Sequence, residues 1–393
     1  MMIRFIGKKD SRKINFTIIL CALFSLYICI NCASFCVFYA KNNHLPIRTA
    51  CDMYFDNISL KKNYIELYGS IQKALGKKQI EKFSIFKNDF GGLVYVREKQ
   101  GQEEINSKLE ELVPIFEHLN NQNIGYLYIA NVLPVEDKTD LSLGVNDFSA
   151  ENAEVLLQLL KEKNVPLFNL RNAASIRAIP KENKFYRTDH HWTNETVFAS
   201  YQEILNFLQE KKLLDVEFKN YSLDNFSVKK QEKSFLGSYG IKVGKFYAGK
   251  DDFNYYKPDF DTEIFFSSYD ENGDLILTKS GDWECALMEQ SILNNLNYNN
   301  KYDSYLNSCS IENRVINTKS ENYLKLLLVS HSYGRPLAQY LSLNFAEVRH
   351  VDPQEGRFQG NYIDYINDYD PDFVLFLVEF EGEIIGNYLT ADE

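Results

Sequence analysis

Short apolar runs that alternate with helical segments constrain the fold of this chain most strongly. Residues 126–130 and 165–170 are apolar and of strand length, and residues 153–163 between them have helical spacing. Strand, helix and strand at this spacing are typical of a parallel sheet. The alternation returns near the C-terminus, with strands at 325–329, 347–351 and 373–378 and helices at 335–345 and 362–368. We therefore predict an α/β fold with a mainly parallel sheet.

The other segments of the chain show secondary-structure patterns of varying clarity. Residues 84–96 predict a hairpin, because two short β-rich runs flank Asn-Asp-Phe-Gly-Gly. Apolar residues at helical spacing predict helices at 103–120 and 196–212. Residues 213–320 are rich in aromatic residues, Asp, Asn and Lys and form no clear pattern. We expect residues 41–80 to be a stalk with a first helix, and 81–393 to be one domain with a less regular insertion at about 213–320.

The N-terminus differs from the rest of the chain in hydropathy and charge. Residues 14–40 contain no charged residue, and the segment before them is basic. About 20 apolar residues span a bilayer core, and positive charge is retained on the cytoplasmic side. We predict a cytoplasmic tail at 1–13, a single transmembrane signal anchor at 14–40 and an extracytoplasmic remainder at the cell membrane. A cleaved signal peptide is the alternative.

Composition excludes several classes of protein. Apolar residues make up 45% and charged residues 25%, as in globular proteins, and the net charge of −11 argues against a nucleic-acid partner. Four of the seven cysteines lie in the apolar run at 14–40. The other three are Cys51, Cys285 and Cys309, and no two of them form a CxxC pair. We predict no disulfide framework, no metal site and no cofactor. One structural disulfide among these three cysteines is possible, and the sequence does not determine which pair would form it.

Ser332, in the segment SHSYG, is a candidate nucleophile. It follows the apolar strand at 325–329 and precedes a helix. Ligands bind at the carboxyl ends of strands in parallel sheets, and backbone N–H groups of such a turn serve as oxyanion donors. Gly334 permits a tight turn. The alternative is that Ser330 or Ser332 caps the helix.

The segment TDHHWT supplies a candidate base. Asp189 and His191 lie two residues apart, so in an extended segment their side chains point the same way. A serine nucleophile needs such a base and an orienting carboxylate. Two alternatives are that Asp189 caps the following helix and that the two histidines bind a metal. His350, near a strand end, is the competing base.

These motifs together resemble those of a known family. TDHHWT, an apolar strand that ends in a serine turn and the later VDPQ resemble the DHHW family, in the AlgX/AlgJ-like branch of SGNH hydrolases. The resemblance covers roughly residues 80–393. Weaker support comes from residues 129–134 with Lys138, and from Phe235-Leu-Gly-Ser238 with Lys242 and Gly244. It implies an SGNH-hydrolase-like three-layer α/β/α fold.

The resemblance also implies roles for individual residues. The family's D-x-H corresponds to Asp189 and His191, and its nucleophilic serine to Ser332. Relatives have Gly-Asp-Ser or Gly-Thr-Ser where this chain has Ser330-His331-Ser332, which adds a Cβ to a tight turn. The residues that we expect to bind the oxyanion or the substrate are Tyr333, Gly334, Arg357, His190 and Trp192.

The family's activity is the O-acetylation of exported polysaccharides such as alginate. The resemblance therefore implies an O-acetyltransferase or acetylesterase that acts on a cell-surface polysaccharide through an acyl-serine intermediate. It also implies a multi-pass membrane acyl-transfer partner, because acyl-CoA is not available outside the membrane. The altered SHS turn motivates the alternative, a catalytically silent glycan-binding or scaffold component of a polysaccharide-modifying complex.

Overall fold

The chain divides into two compact units, Met1–Leu67 and Tyr68–Glu393. The computed structural model describes residues 8–41, 46–56, 61–80, 84–136, 141, 144–295, 299–309, 311–353 and 362–378. The first unit contains α1 (Lys8–Lys41), α2 (Ile47–Asp56) and the start of α3 (Lys61–Ala74). Within it, the Tyr54 hydroxyl donates to the carbonyl oxygen of Asn31 at 3.0 Å, which ties α2 to α1.

The predicted anchor, residues 14–40, lies within α1. In the described part of the chain, no helix has both the length and the apolar character needed to cross a membrane. The anchor and the extracytoplasmic location therefore stay predictions.

The second unit contains most of the secondary structure. Its strands are β1 (Gln79–Ile80), β2 (Ile85–Lys87), β3 (Leu93–Tyr95), β4 (Gly125–Ala130), β5 (Leu167–Asn169), β6 (Phe226–Phe235), β7 (Asp251–Pro258), β8 (Ile264–Tyr269), β9 (Leu275–Gly281), β10 (Glu312–Asn317), β11 (Lys325–Ser330), β12 (Glu347–Val351) and β13 (Phe373–Leu377). Its helices after α3 are α4 (Gln102–Glu110), α5 (Val113–Asn121), α6 (Ser149–Glu162), α7 (Ala174–Ala178), α8 (Lys181–Lys184), α9 (Asn194–Glu210), α10 (Ser238–Val243), α11 (Lys245–Ala248), α12 (Trp283–Leu287), α13 (Gln290–Leu293), α14 (Gly334–Leu341) and α15 (Tyr362–Tyr369).

Eight strands form the central sheet, in the order β5-β4-β13-β11-β12-β10-β8-β9. The five strands from β5 to β12 are parallel, and β10, β8 and β9 extend the sheet in antiparallel fashion. The prediction of an α/β fold with a mainly parallel sheet is therefore confirmed. β11 lies between β12 and β13, so its carboxyl end, which leads to Ser332, is at the centre of the parallel part.

The core lies on both faces of this sheet, because side chains of a strand alternate between its faces. Leu326 and Leu328 of β11 are fully buried in one apolar cluster, together with residues of α9 and α14. Leu327 and Val329 are fully buried in a second cluster, with residues of α4, α5, α6 and α15. Helices thus cover both faces, in three layers.

Two segments differ from the sequence-based expectation. The single helix predicted at 103–120 is wrong: α4 ends at Glu110 and α5 begins at Val113, with Pro114 in its first turn. Proline lacks an N–H and clashes with the preceding turn, so a helix cannot run through it undistorted. Residues 213–320, which showed no clear pattern, form the β6–β7 ribbon and the strands β8, β9 and β10.

Candidate active site

The structure brings Asp189, His191 and Ser332 into one hydrogen-bonded row. His191 Nε2 lies 2.8 Å from the Ser332 hydroxyl, although the two residues are 141 positions apart in the chain. His191 Nδ1 lies 3.0 Å from Asp189 Oδ2. Ser332 is half-buried in the turn between β11 and α14, whereas Asp189 and His191 are buried. The row thus has one member, the serine, that solvent reaches.

The local structure of TDHHWT explains how the two side chains converge. Phe185 pairs with Trp192 in an isolated antiparallel bridge, so the segment between them forms a tight loop. The side chain of Thr193, not that of Asp189, caps α9 by accepting from the N–H of Thr196. The alternative in which Asp189 caps this helix is therefore wrong. Asp189 is left to face His191.

The second carboxylate oxygen of Asp189 is hydrogen-bonded by the neighbouring His190 and by the segment that follows β6. Its Oδ1 accepts hydrogen bonds from the N–H of His190 at 2.9 Å and from the hydroxyl of Ser238 at 2.7 Å. A Cβ on Gly237 would lie 2.2 Å from the Cβ of Asp189, so only glycine allows this approach. Burial by itself would raise the pKa of Asp189, but the electrostatic influence of His191 and His190 and the hydrogen bonds from their side chains lower it well below the ordinary value. The carboxylate therefore stays ionised.

A second carboxylate anchors the start of the loop. Asp251 of β7 is buried and accepts from the N–H of Thr188 at 2.9 Å and from its hydroxyl at 2.7 Å. The same carboxylate accepts from Arg187 Nε at 3.0 Å. The Thr188 hydroxyl oxygen in turn accepts from the N–H of Gly237 at 2.9 Å. Asp251 and Thr188 thus join the histidine loop to the Gly-Ser segment.

His191 is placed to accept a proton from Ser332 in this arrangement. Its ring stacks on Tyr302, with centroids 3.7 Å apart and an interplanar angle of 15°. Burial, with added repulsion from His190 and Arg335, outweighs Asp189 and lowers the pKa of His191 to about 4. The imidazole is therefore neutral near pH 7. Because Nδ1 faces an ionised carboxylate, the ring proton lies on Nδ1 and the lone pair of Nε2 faces Ser332.

Trp192, Tyr333 and His190 brace the two loops against each other. Trp192 is fully buried and its Nε1 donates to the carbonyl oxygen of Tyr333 at 3.2 Å. The Tyr333 hydroxyl donates to the carbonyl oxygen of His190. The His190 side chain is 33% exposed, and its Nδ1 lies 2.9 Å from Asp189 Oδ1. Substrate contacts of these three residues stay predictions, and Arg357 lies outside the described residues.

Gly334 explains how the chain accommodates a serine in place of the family's glycine. A Cβ on Gly334 would lie 1.7 Å from Ser330 Oγ. The Ser330 side chain points away from Ser332, with its hydroxyl 3.1 Å from His350 Nε2. The backbone N–H of Ser332 has no acceptor among the described residues, which leaves it available to a developing oxyanion. His331 points to neither serine hydroxyl, and its Nδ1 lies 3.3 Å from Asp352 Oδ1.

Asp189, His190 and His191 also offer three ligand atoms within 4.8 Å of one another. Three ligands so close together could hold a cation. However, the Asp189 oxygens are occupied by Ser238 and His191, and His191 Nε2 faces Ser332. A metal ion would have to replace the bonds that define the row. The absence of a metal site stays a prediction.

Three residues of the site were not predicted as functional. Asp251 and Tyr302 come from residues 213–320, where the sequence pattern was unclear, and no local signal marks them. Ser238 appeared only as part of a Gly-Ser segment that resembles one in relatives. The signal that could have found it is a Gly-Ser pair directly after a strand, because glycine permits close backbone approach and serine offers a hydrogen bond.

Comparisons with known proteins concern the family and the fold of the chain. Residues 90–276 match the family model described as "SGNH hydrolase-like domain, acetyltransferase AlgX". The resemblance to the AlgX-like SGNH hydrolases is confirmed. No curated protein sequence matches the chain.

Solved structures show the same fold. PatB1 of Bacillus cereus superposes with a TM-score of 0.62 at 17% identity, over 77% of this chain and 99% of PatB1. PatB1 with a sulfonyl adduct gives a TM-score of 0.61 at 17% identity, over 77% of this chain and 97% of that one. A DHHW family protein of Eubacterium siraeum gives 0.55 at 17% identity, over 74% of this chain and 89% of that protein. At this identity the likeness concerns the fold alone.

Proposed function

We propose that this chain is a serine-dependent O-acetyltransferase or acetylesterase that acts on a cell-surface polysaccharide outside the membrane. The observation that carries the proposal is the row in which Ser332, His191 and Asp189 are joined at 2.8 and 3.0 Å. The match of residues 90–276 to an acetyltransferase family model supports the same reaction class.

In the first half-reaction the acyl group moves from a donor ester to Ser332. His191 Nε2 takes the hydroxyl proton while Ser332 Oγ attacks the acyl carbonyl carbon. Asp189 stabilises the imidazolium that forms, because its carboxylate accepts a hydrogen bond from Nδ1–H while the proton stays on Nδ1. The Ser332 N–H faces the negative charge that develops on the carbonyl oxygen. The bond between the acyl carbon and the alkoxy oxygen of the donor then breaks, His191 gives its proton to that oxygen, and the acyl-serine remains.

In the second half-reaction the acyl group leaves Ser332. A sugar hydroxyl, or water in an esterase, gives its proton to His191 and attacks the acyl carbon. The Ser332–acyl bond breaks, and Ser332 regains its proton from His191. The same three residues therefore serve both halves, and the choice between transfer and hydrolysis depends on which hydroxyl reaches the acyl carbon.

The proposed location determines the donor. Outside the membrane acyl-CoA is not available, so a multi-pass membrane partner would have to deliver the acyl group. The predicted anchor at 14–40 would keep the chain beside such a partner. Arg357 remains a predicted contact for a carboxylate or an anionic acyl intermediate.

Acyl-enzyme trapping tests the proposal. The full chain is incubated with p-nitrophenyl acetate, quenched in acid and analysed by mass spectrometry after digestion. We expect one acetyl group on the peptide that contains Ser332, and its loss in Ser332→Ala. Ser330→Ala is the matched control, because Ser330 lies two residues away and contacts His350 instead. Labelling that persists undiminished in Ser332→Ala contradicts the proposal.

The silent glycan-binding alternative predicts a different result. The full chain would bind polysaccharide, yet it would neither release acetate nor transfer it, and no acetyl group would be trapped. A phenylmethylsulfonyl fluoride reaction gives an independent measurement, since a sulfonyl group reacts with an activated serine. Stoichiometric modification of Ser332 that requires His191 supports the enzyme and excludes the silent protein.

A further inference from the structure

The second unit carries an exposed apolar surface formed by two segments, 68–78 and 238–250, which we term the lysine–apolar patch. Its large apolar side chains are 42–64% exposed: Tyr68, Ile71, Leu75, Ile241 and Phe246. Soluble domains rarely leave several large apolar side chains exposed together, and such clusters mark interaction surfaces.

Direct contacts make the two segments one surface. A Cβ on Gly69 would lie 2.2 Å from the carbonyl oxygen of Val243, so α3 and α10 pack at backbone distance. Lys73 Nζ donates to the carbonyl oxygen of Phe246 at 3.0 Å. The patch is therefore continuous across the two segments.

The charge of the patch is opposite to that of the whole chain. The two segments contain six lysines and no Asp or Glu, whereas the chain carries a net charge of −11. The lysines are Lys73, Lys77, Lys78, Lys242, Lys245 and Lys250. Carboxylates lie at its margin: Asp89 pairs with Lys78 at 2.6 Å, and Glu66 lies just before the first segment. The buried Asp251, which accepts from Arg187 and Thr188, follows the second segment. The remaining surface is basic and apolar at once.

We propose that the lysine–apolar patch docks the second unit onto a membrane surface that contains anionic phospholipid. Aromatic and aliphatic side chains insert at the boundary between headgroups and acyl chains, while lysines reach the phosphates on flexible stems. Each lysine near an anionic bilayer strengthens binding by about fivefold, so six are a strong attraction. The acidic remainder of the chain is repelled by the same lipids, which orients the unit with this patch toward the membrane.

Docking would also fix the height of the candidate site. Ser238, the first residue of α10, bonds to Asp189, and Ile241 of the patch lies three residues further along the helix. Three helical residues rise about 4.5 Å. The docked patch therefore keeps the Asp189–His191–Ser332 row close to the bilayer surface. The docking itself does not depend on whether the row is active.

Tryptophan quenching in vesicles tests the docking with the full chain. Trp192 and Trp283 are 0% and 1% exposed, so both are shielded from lipid and give a constant background. The variant Phe246→Trp places a third indole in the patch. The control Tyr323→Trp places it at a residue that is 96% exposed elsewhere on the unit. Both are reconstituted in vesicles of brominated phosphatidylcholine, with or without 30% phosphatidylglycerol.

We expect strong quenching of Phe246→Trp in the anionic vesicles, little in the neutral ones, and none for Tyr323→Trp. Adding Lys77→Glu and Lys245→Glu should lower the equilibrium constant for docking by more than about 25-fold. The pair Lys161→Glu and Lys229→Glu, which makes the same charge change at other exposed positions, should not reduce it. High salt should release the patch, because 1 M salt shortens the Debye length to about 3 Å.

Equal quenching of the two introduced indoles, or no quenching in Phe246→Trp, overturns the proposal. Emission from Phe246→Trp that is blue-shifted but unquenched also overturns it, because a protein or a second copy would then cover the patch. Circular dichroism in detergent shows that each variant is folded, whether or not the candidate row is active. Hydrolysis of p-nitrophenyl acetate is measured on the same samples. It also keeps a failure of docking separate from a failure of the proposed enzyme activity.

Discussion

Ser332 lies 2.8 Å from His191 Nε2, and Ser330, two residues earlier, lies 3.1 Å from His350 Nε2. The two serine–histidine pairs thus have nearly the same separation at the end of one strand. Their partners differ. His191 Nδ1 faces the carboxylate of Asp189 at 3.0 Å, whereas His350 Nδ1 faces the side-chain amide nitrogen of Asn313 at 3.3 Å.

The different partners impose opposite tautomers. Asp189 accepts a hydrogen bond from Nδ1–H of His191, so Nε2 has a free lone pair for the Ser332 proton. The Asn313 amide donates to His350 Nδ1, so the proton of His350 lies on Nε2, where it faces the carbonyl oxygen of Ser330 at 3.1 Å. His350 therefore donates where a base has to accept. The runner-up base of the sequence analysis is directed at Ser330 and has the wrong tautomer.

The pairs also differ in access. Ser330 and His350 are both fully buried, and Gly334 passes directly over Ser330. Ser332 is half-buried and Asp189 is buried behind the histidine. The comparison shows that proximity of serine and histidine does not make a site. Of the two pairs, the Ser332 pair also has a carboxylate on the far nitrogen of its histidine and an opening to solvent, which supports Ser332 as the candidate nucleophile.

The largest expected effect is the loss of His191. We expect His191→Ala to lower kcat/KM for p-nitrophenyl acetate by about 10³–10⁴-fold, because Ser332 loses its base. His350→Gln should lower it by less than about tenfold, since glutamine retains a donor toward Ser330. Circular dichroism and urea unfolding check that both variants fold. A folded His350→Gln that is as inactive as His191→Ala would break the distinction between the pairs.

The next effect is on stability and concerns the buried pair. Gly334→Ala places a Cβ 1.7 Å from Ser330 Oγ, and we expect a loss of about 3 kcal/mol in the free energy of unfolding. Ser330→Gly alone should cost about 1 kcal/mol through its lost hydrogen bonds and added chain entropy. The double variant should recover at least about 1.5 kcal/mol relative to additivity in urea unfolding. Strict additivity would show that Ser330 and Gly334 do not share this space.

The response to acid pH distinguishes the two serine–histidine pairs in a third way. Burial is the main cause that lowers the pKa of both His191 and His350 to about 4. The unfolded chain, with histidine pKa values near 6.5, takes up protons first as the pH falls. Each histidine therefore stabilises the fold above pH 6.5, and loses about 3 kcal/mol of that contribution as the pH falls toward 4.

Only one of these titrations should change the reaction. We expect kcat/KM to rise with a midpoint near pH 4, where His191 becomes neutral, and to be level from about pH 5 to 7. His350→Gln should make stability less dependent on acid and leave this midpoint unchanged. Urea unfolding and initial rates at the same pH values give both curves. A shift of the activity midpoint in His350→Gln would mean that the buried pair takes part in the chemistry.

The row was predictable from sequence because its signals are local. Alternation along an extended segment predicts that Asp189 and His191 face one way, and an apolar strand followed by a helix predicts the place of Ser332. The strands of the parallel half are predictable for the same reason. Asp251 and Tyr302 were not, since their positions depend on how β7 and a short turn pack against the loop. Nothing near either residue in the chain indicates that contact.

Ser238 gives the smallest expected effect and tests whether the carboxylate distinguishes the pairs. Its hydroxyl donates to Asp189 Oδ1 at 2.7 Å, and no equivalent support is needed where His350 faces an amide. We expect Ser238→Ala to lower kcat about tenfold with little change in KM, because the carboxylate loses orientation while the substrate contacts remain. Ser238→Thr, which keeps the hydroxyl, should recover most of the rate. Ser234→Ala is the matched control, because Ser234 lies in the preceding strand β6 and its hydroxyl donates to the carbonyl oxygen of Gln231. If Ser238→Ala changes KM and kcat equally, or Ser234→Ala has the same effect, Ser238 supports the fold of the segment and not the orientation of Asp189.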